Sequence, residues 1–189
     1  MSDPVTALGG MTADSFADIA EQPPRGMVLL RGDLSSAPVQ RAAAEVAGVT
    51  VPAPNRFEGE MPALCWMAPD ELLLLCDYDE AAAKVAALAE ALQGVHHLAL
   101  DVSDARAVFR VTGLDAREAL AKLTPADMSP AAVPPGTFRR TRMAQVPAAI
   151  RALDDTAFEI LCFRSVAQYM ADLLISAAIP GSEVGYWQT

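Results

Sequence analysis

The chain has 189 residues and a formal net charge of -10, with 52% hydrophobic and 20% charged residues. This length suits one large domain or two small ones, and the composition is that of a folded protein with a substantial core. A surface of this charge repels phosphate backbones, which argues against binding of nucleic acid through a broad basic face.

The beginning of the chain, MSDPVTALGG, has neither the basic nor the apolar region of a signal peptide. No apolar stretch approaches the length of a membrane-spanning helix. We therefore expect a cytoplasmic protein.

The first third of the chain predicts an arm, a strand and a helix. Residues 1–25 contain three prolines and no sustained hydrophobic period, which is typical of an arm or linker. The apolar run Met27–Arg31 predicts a strand that ends at Gly32. A helix is then expected to start near Ala37, after a serine cap, and to end at Gly48.

A hairpin and a second helix follow a proline-broken loop. The strands are Ala63–Met67 and Glu71–Cys76, and Pro69 with Asp70 supplies the turn. Four consecutive leucines predict that the second strand is buried on both faces. The helix after it runs from Asp79 to about Leu92.

The second half of the chain gives a similar series of patterns. Two strands flank a turn at Ser103 and Asp104, and Asp115 can cap a helix over Ala116–Leu123. The proline-rich loop TPADMSPAAVPPG follows, and the last predicted elements are the strands TFRRTRMAQ, AAIRAL and AFEILCF and a helix over Ser165–Ala178.

The order strand, helix, loop, hairpin, helix thus occurs twice, with Gly32 matching Gly113 and Cys76 matching Cys162. One such unit cannot bury its sheet alone. The sequence therefore predicts an α+β fold of two related β-α-β-β-α halves, with antiparallel sheet covered by helices. The expected divisions are an arm at 1–25, a first half at 26–94, a second half at 95–180 and a tail at 181–189.

No motif of catalysis or metal binding is evident in the sequence. There is no glycine-rich phosphate loop and no GxSxG motif. The two adjacent histidines, His96 and His97, should point to opposite faces of a strand, which is poor geometry for one metal ion. The odd set Cys65, Cys76 and Cys162, without CxxC spacing, favours buried free thiols. We predict no catalytic residue and no metal site.

Two features remain as candidate contacts with another protein. Arg139, Arg140 and Arg142 form the one basic cluster, which suits either a partner's carboxylates or a charged edge strand. Tyr186 and Trp187 lie beyond the last helix, where they can anchor a partner or fold back. We expect these five residues at a partner contact.

Several ordered segments resemble one family. The segments PRGMVLLRGDL, VPAPN, WMAPDELLLL, LDVSDARAVFRVTGLDAREALAKLTPADMSP and MAQVPAAI are similar to the gamma subunit of heterotetrameric sarcosine oxidase. The resemblance extends from about Pro24 to Ala178. It implies a fold like the folate-binding domain of the glycine-cleavage T-protein, in agreement with the repeat.

The resemblance also implies a role. The complex oxidatively demethylates sarcosine to glycine with formation of hydrogen peroxide, and passes the one-carbon unit to tetrahydrofolate or releases formaldehyde. FAD, FMN, NAD and tetrahydrofolate are expected in the larger alpha and beta subunits, and no cofactor in this chain. The alternative is a stand-alone folate-like protein for small-molecule binding or one-carbon transfer.

Overall fold

The computed structural model describes residues 4–187, which form two compact units. The continuous unit is Arg25–Ser103, and the split unit combines the described parts of Met1–Pro24 and Asp104–Thr189. In the described part of the chain, no helix is both long and apolar enough to cross a membrane.

The elements range from strands of two residues to helices of 11 residues. In chain order they are β1 (Thr12–Ala13), β2 (Asp18–Glu21), β3 (Gly26–Gly32), α1 (Ala37–Ala47), β4 (Phe57–Glu58), β5 (Ala63–Ala68), β6 (Glu71–Cys76), α2 (Ala81–Ala91), β7 (His97–Asp101), β8 (Arg106–Thr112), α3 (Ala116–Ala121), β9 (Phe138–Met143), β10 (Val146–Ala152), β11 (Ala157–Phe163) and α4 (Ala167–Ala177).

The continuous unit is a five-stranded antiparallel sheet, in the order β4-β5-β6-β3-β7, that buries one face against α1 and α2. Leu72 and Leu74 of β6 belong to the core with the helices, while Leu73 and Leu75, on the opposite face, are equally buried. The prediction of a strand buried on both faces is confirmed. Gly48 ends α1 in the left-handed conformation, with φ of 74°.

The split unit is a six-stranded antiparallel sheet in the order β1-β2-β8-β11-β10-β9. Its core lies between this sheet and the helices α3 and α4, and includes Phe109, Phe158 and Met170. The opposite face of β11 carries Glu159, which is fully buried and pairs with Arg110 at 2.9 Å and with Arg151 at 3.1 Å.

The two sheets repeat one strand order, since β4-β5-β6-β3-β7 corresponds to β9-β10-β11-β8-β2. The register agrees with the sequence match: Gly26 pairs with Cys76 in one unit, and Ala107 pairs with Cys162 in the other. The α+β fold of two related halves with antiparallel sheets and covering helices is confirmed.

The structure divides the chain differently from the expected boundaries at 25, 94 and 180. β7 belongs to the continuous unit because it pairs with β3, so that unit ends at Ser103. Residues 12–13 and 18–21 of the expected arm form β1 and β2, and they belong to the split unit because β2 pairs with β8. The strands on either side of the Ser103 turn therefore lie in different sheets and do not form a hairpin.

Candidate functional site

Arg117 is buried in the split unit although it is charged. It lies on α3, is 4% exposed, and its Nη1 donates to the main-chain oxygens of Met128 at 2.7 Å and Val133 at 3.1 Å. Its Cζ lies 5.0 Å from the centre of the Phe158 ring. Both acceptors belong to the proline-rich loop, so Arg117 fixes that loop and is itself held in place.

The other terminal nitrogen of Arg117, Nη2, has a different environment. Among the residues that the structure describes, the buried Nη2 has no hydrogen-bond partner. The Asp155 carboxylate is 3.9 Å away, and its side chain is 77% exposed. Burial lowers the pKa of the Arg117 guanidinium, and the Asp155 charge acts in the opposite direction. An unpaired buried donor of this kind is uncommon in folded proteins.

A cavity of about 580 Å³ borders this side chain, and we refer to it as the Arg117 pocket. Its polar lining consists of Asp115, Arg117, Glu118, Asp155 and Thr156. Its apolar lining consists of Leu114, Pro130 and Trp187. Small-molecule sites commonly combine apolar walls with a few fixed polar groups, as this pocket does.

Glu118 closes one wall of the pocket by holding the tail. Its carboxylate accepts the main-chain N–H of Val184 and, at 2.8 Å, that of Gly185. These bonds, the Val184 bond above all, hold the pKa of Glu118 below its ordinary value against the opposing effect of burial. Trp187 packs against the core of the unit, while Tyr186 is 76% exposed.

A second cavity, of about 610 Å³, lies in the continuous unit. It is lined by both histidines, His96 and His97, although only His97 belongs to the strand β7. Nδ1 of His97 is 2.8 Å from the main-chain oxygen of Val95. Across residues 4–187, no group of three or more His, Cys, Asp or Glu side chains is placed to hold a metal ion.

The basic cluster lies on β9, which is an edge strand of the split unit's sheet. Arg140 and Arg142 face Ala149 and Pro147 in the register and are both exposed, as expected for residues on one face of the strand. Arg139 is half-buried and donates to the main-chain oxygen of Ala132 at 3.3 Å. Arg139 therefore also fixes the proline-rich loop.

All three cysteines are buried, and none of them forms a disulfide. Burial raises the pKa of the Cys76 thiol to about 11 and that of Cys162 to about 12. These thiols are held in the protonated form at neutral pH, which disfavours any role as a nucleophile.

The sequence did not predict the Arg117 pocket. Arg117 and Glu118 lie next to each other in a short helix, where charged residues usually face solvent. Their positions depend on the proline-rich loop and on the tail, which contact the helix from elsewhere in the chain. The signal in the sequence that could have indicated this region is the proline-rich loop, which is longer than a simple connection.

The two-unit antiparallel fold defines the class of protein. It is shared with the glycine cleavage system aminomethyltransferase T from Bartonella henselae, at a TM-score of 0.59 and 15% identity over 82% of this chain. The chain spans 44% of that protein, so it is similar to a part of it. The class is therefore a T-protein-like α+β domain.

Residues 31–179 match the model of the sarcosine oxidase gamma subunit family, and the chain belongs to that family. It is similar to a chain of heterotetrameric sarcosine oxidase from Corynebacterium sp. U-96, solved in complex with pyrrole 2-carboxylate. The TM-score is 0.81 at 26% identity, over 91% of this chain and 89% of that one. No curated protein matches the chain.

The fold extends to other proteins. The regulatory subunit of aspartate kinase from Thermus thermophilus matches at a TM-score of 0.50, with 11% identity over 88% of this chain and 99% of that one. At this identity the likeness concerns the fold alone.

Proposed function

We propose that the chain is a non-catalytic subunit of a sarcosine-oxidase-like complex. The complex would demethylate sarcosine to glycine by oxidation, form hydrogen peroxide, and pass the one-carbon unit to tetrahydrofolate or release it as formaldehyde. The observation that carries the proposal is membership of the gamma subunit family, together with the likeness of almost the whole chain to one chain of a heterotetrameric sarcosine oxidase.

The partners in this proposal are the larger alpha and beta subunits, which hold FAD, FMN, NAD and tetrahydrofolate. In this proposal, the chain itself provides a surface that contacts the larger subunits. Arg140 and Arg142 are exposed on an edge strand, where arginine can pair with a partner's carboxylates in bidentate geometry. Tyr186 is exposed and is a further candidate contact, whereas Trp187 packs against the core of its own unit.

The experiment is reconstitution. The tagged chain is co-expressed with candidate alpha and beta subunits, and co-elution, flavin absorbance and peroxide release are measured with sarcosine and other N-methyl amino acids. We expect flavin and substrate-dependent peroxide only in fractions that contain the larger chains, and reduced yield or activity when this chain is omitted.

The isolated chain is the control. Bound flavin or sarcosine turnover in this chain alone would contradict the proposal. Tetrahydrofolate binding by the isolated chain, measured by calorimetry, would instead favour the alternative of a stand-alone folate-like protein.

A further inference from the structure

We propose that the Arg117 pocket binds a free amino acid in its zwitterionic form. The amino acid carboxylate would accept a hydrogen bond from Nη2 of Arg117, and the ammonium group would pair with Asp155. This binding site is separate from the oxidation reaction proposed above and does not depend on it.

The two terminal nitrogens of the Arg117 guanidinium differ in their hydrogen bonding. Nη1 is fully used, because it donates to two main-chain oxygens of the proline-rich loop. That contact explains why the residue is buried, but it leaves Nη2 without an acceptor. A buried charged donor is strongly stabilised by an anionic acceptor. Nη2 itself has almost no accessible surface in the free structure. In the proposed complex, the exposed Asp155 side chain, 3.9 Å from Nη2, therefore moves aside to admit the ligand carboxylate from the adjoining cavity of about 580 Å³.

The fixed position of the side chain makes the site specific. Two hydrogen bonds and the ring of Phe158, 5.0 Å from Cζ, hold the guanidinium plane before any ligand enters. A ligand carboxylate therefore gains a hydrogen bond without ordering a flexible arginine, and such preorganisation increases affinity.

The charges around the pocket favour a zwitterion over a simple anion. Asp115, Glu118 and Asp155 line the pocket with one arginine, so the carboxylates outnumber the cation. Glu118 is committed to the N–H groups of Val184 and Gly185. Asp155 is exposed and lies 3.9 Å from Nη2, too far for a hydrogen bond, so it can turn toward a ligand's ammonium group.

The apolar wall suits a hydrophobic side chain. Leu114 is 88% exposed at the pocket, and Pro130 and Trp187 complete the wall. An exposed leucine beside a pocket gains from contact with an apolar ligand group. An amino acid such as leucine combines this group with both required charges.

The test compares three probes on the full-length protein, with any attached partner chains retained. The probes are L-leucine, 4-methylpentanoate, which lacks the ammonium group, and 3-methylbutylamine, which lacks the carboxylate. Binding is followed by changes in the NMR signals of the Thr156 amide and the Trp187 indole. We expect saturable binding of leucine, and binding at least about tenfold weaker for each single-charge analogue.

Two variants of the pocket and one control variant locate the site. Asp155→Asn changes an exposed side chain, so the protein should remain folded, lose about tenfold in leucine affinity and no longer prefer leucine over 4-methylpentanoate. Asp172→Asn makes the same charge change on the exposed surface of α4 and should alter nothing. Arg117→Lys should abolish binding in protein that is shown by circular dichroism to be folded.

The proposal is overturned by any of three results. They are absence of leucine binding, equal binding of leucine and 4-methylpentanoate, and leucine binding that Asp155→Asn leaves unchanged. The second result would identify a site for simple anions. The third would mean that Asp155 serves only as a counter-ion of Arg117.

Discussion

At the scale of single residues, Arg117 and Glu118 show how charged side chains are buried through hydrogen bonds to main-chain groups. Each satisfies main-chain groups of a segment that has no regular structure: Arg117 bonds carbonyls of the proline-rich loop, and Glu118 bonds amides of the tail. Such main-chain groups must find partners when they are removed from water. The two residues therefore position both segments around one cavity.

The Glu118 bonds predict how the tail responds to pH. The N–H groups of the tail hold the pKa of Glu118 below its ordinary value, so the carboxylate stabilises the docked tail above the unfolded-state pKa, about 4.3. This stabilisation is lost as the pH falls through the lowered pKa of the folded protein. The protection factors of the Val184 and Gly185 amides against hydrogen exchange should thus be maintained down to about pH 4.5 and fall below it.

A neutral side chain of the same shape tests the charge. In Glu118→Gln, the protection of the same two amides at pH 7 should fall by about tenfold, because a neutral acceptor bonds more weakly than a carboxylate. The variant should also lose the pH dependence. Unchanged protection in this variant would show that other contacts hold the tail, such as the packing of Trp187 and the Lys122 bonds to Ser182.

The thiols give a second prediction for single residues. With pKa values of about 11 for Cys76 and about 12 for Cys162, each thiolate fraction at pH 8 is at least about a hundredfold below that of a free cysteine. Labelling of native protein by a thiol reagent should be slower than labelling of unfolded protein by at least this factor. Rapid labelling of either thiol without unfolding would contradict the burial of Cys76 on β6 and of Cys162 on β11.

At the scale of elements, the two ends of β3 differ in the space around them. A Cβ on Gly26 would lie 2.5 Å from the Asp77 main-chain oxygen and 2.7 Å from Sγ of Cys76. Gly26→Ala should therefore lower the free energy of unfolding by about 1–3 kcal/mol in a denaturant titration, through overpacking.

Gly32 at the other end of the same strand is the matched control. A Cβ there would meet its nearest atoms at 3.6 Å, which is ordinary contact. Gly32→Ala should be neutral or should stabilise by up to about 1 kcal/mol, because it reduces the freedom of the unfolded chain. Equal effects of the two changes would rule out crowding at Gly26 as the cause.

Elements defined by local patterns were predicted from the sequence, whereas elements defined by distant pairing were not. The hairpin β5-β6 and the leucine strand were predicted closely, because a local turn and a local apolar run define them. The strands that complete the two five-strand orders were not predicted correctly: β7 was assigned to the second half, and β2 was missed. β2 is only four residues long, and its pairing with β8 joins segments about ninety positions apart, which no local pattern reports.

At the scale of the whole molecule, the repeat was visible in the sequence, because Gly32 and Gly113 end equivalent strands and Cys76 and Cys162 occupy equivalent positions on β6 and β11. Each unit completes the same five-strand order from different parts of the chain: β7 follows directly in one, and β2 comes from the N-terminal segment in the other. The candidate site was not visible, since it depends on a loop and a tail that converge on α3.

The last prediction concerns assembly. Arg140 and Arg142 are exposed on the edge strand β9, so replacing both with alanine should leave the thermal unfolding of the isolated chain nearly unchanged, because exposed charges contribute only about 0–1 kcal/mol. The free energy of association with the larger subunits, followed by co-elution, should become less favourable by about 2–5 kcal/mol, as for charge pairs buried at an interface.

Arg41→Ala, on the exposed side of α1, is the control and should assemble normally. Arg139→Ala should instead destabilise the chain itself, since Arg139 bonds the proline-rich loop. If the double variant assembles as well as the parent, the docking surface lies elsewhere on the chain.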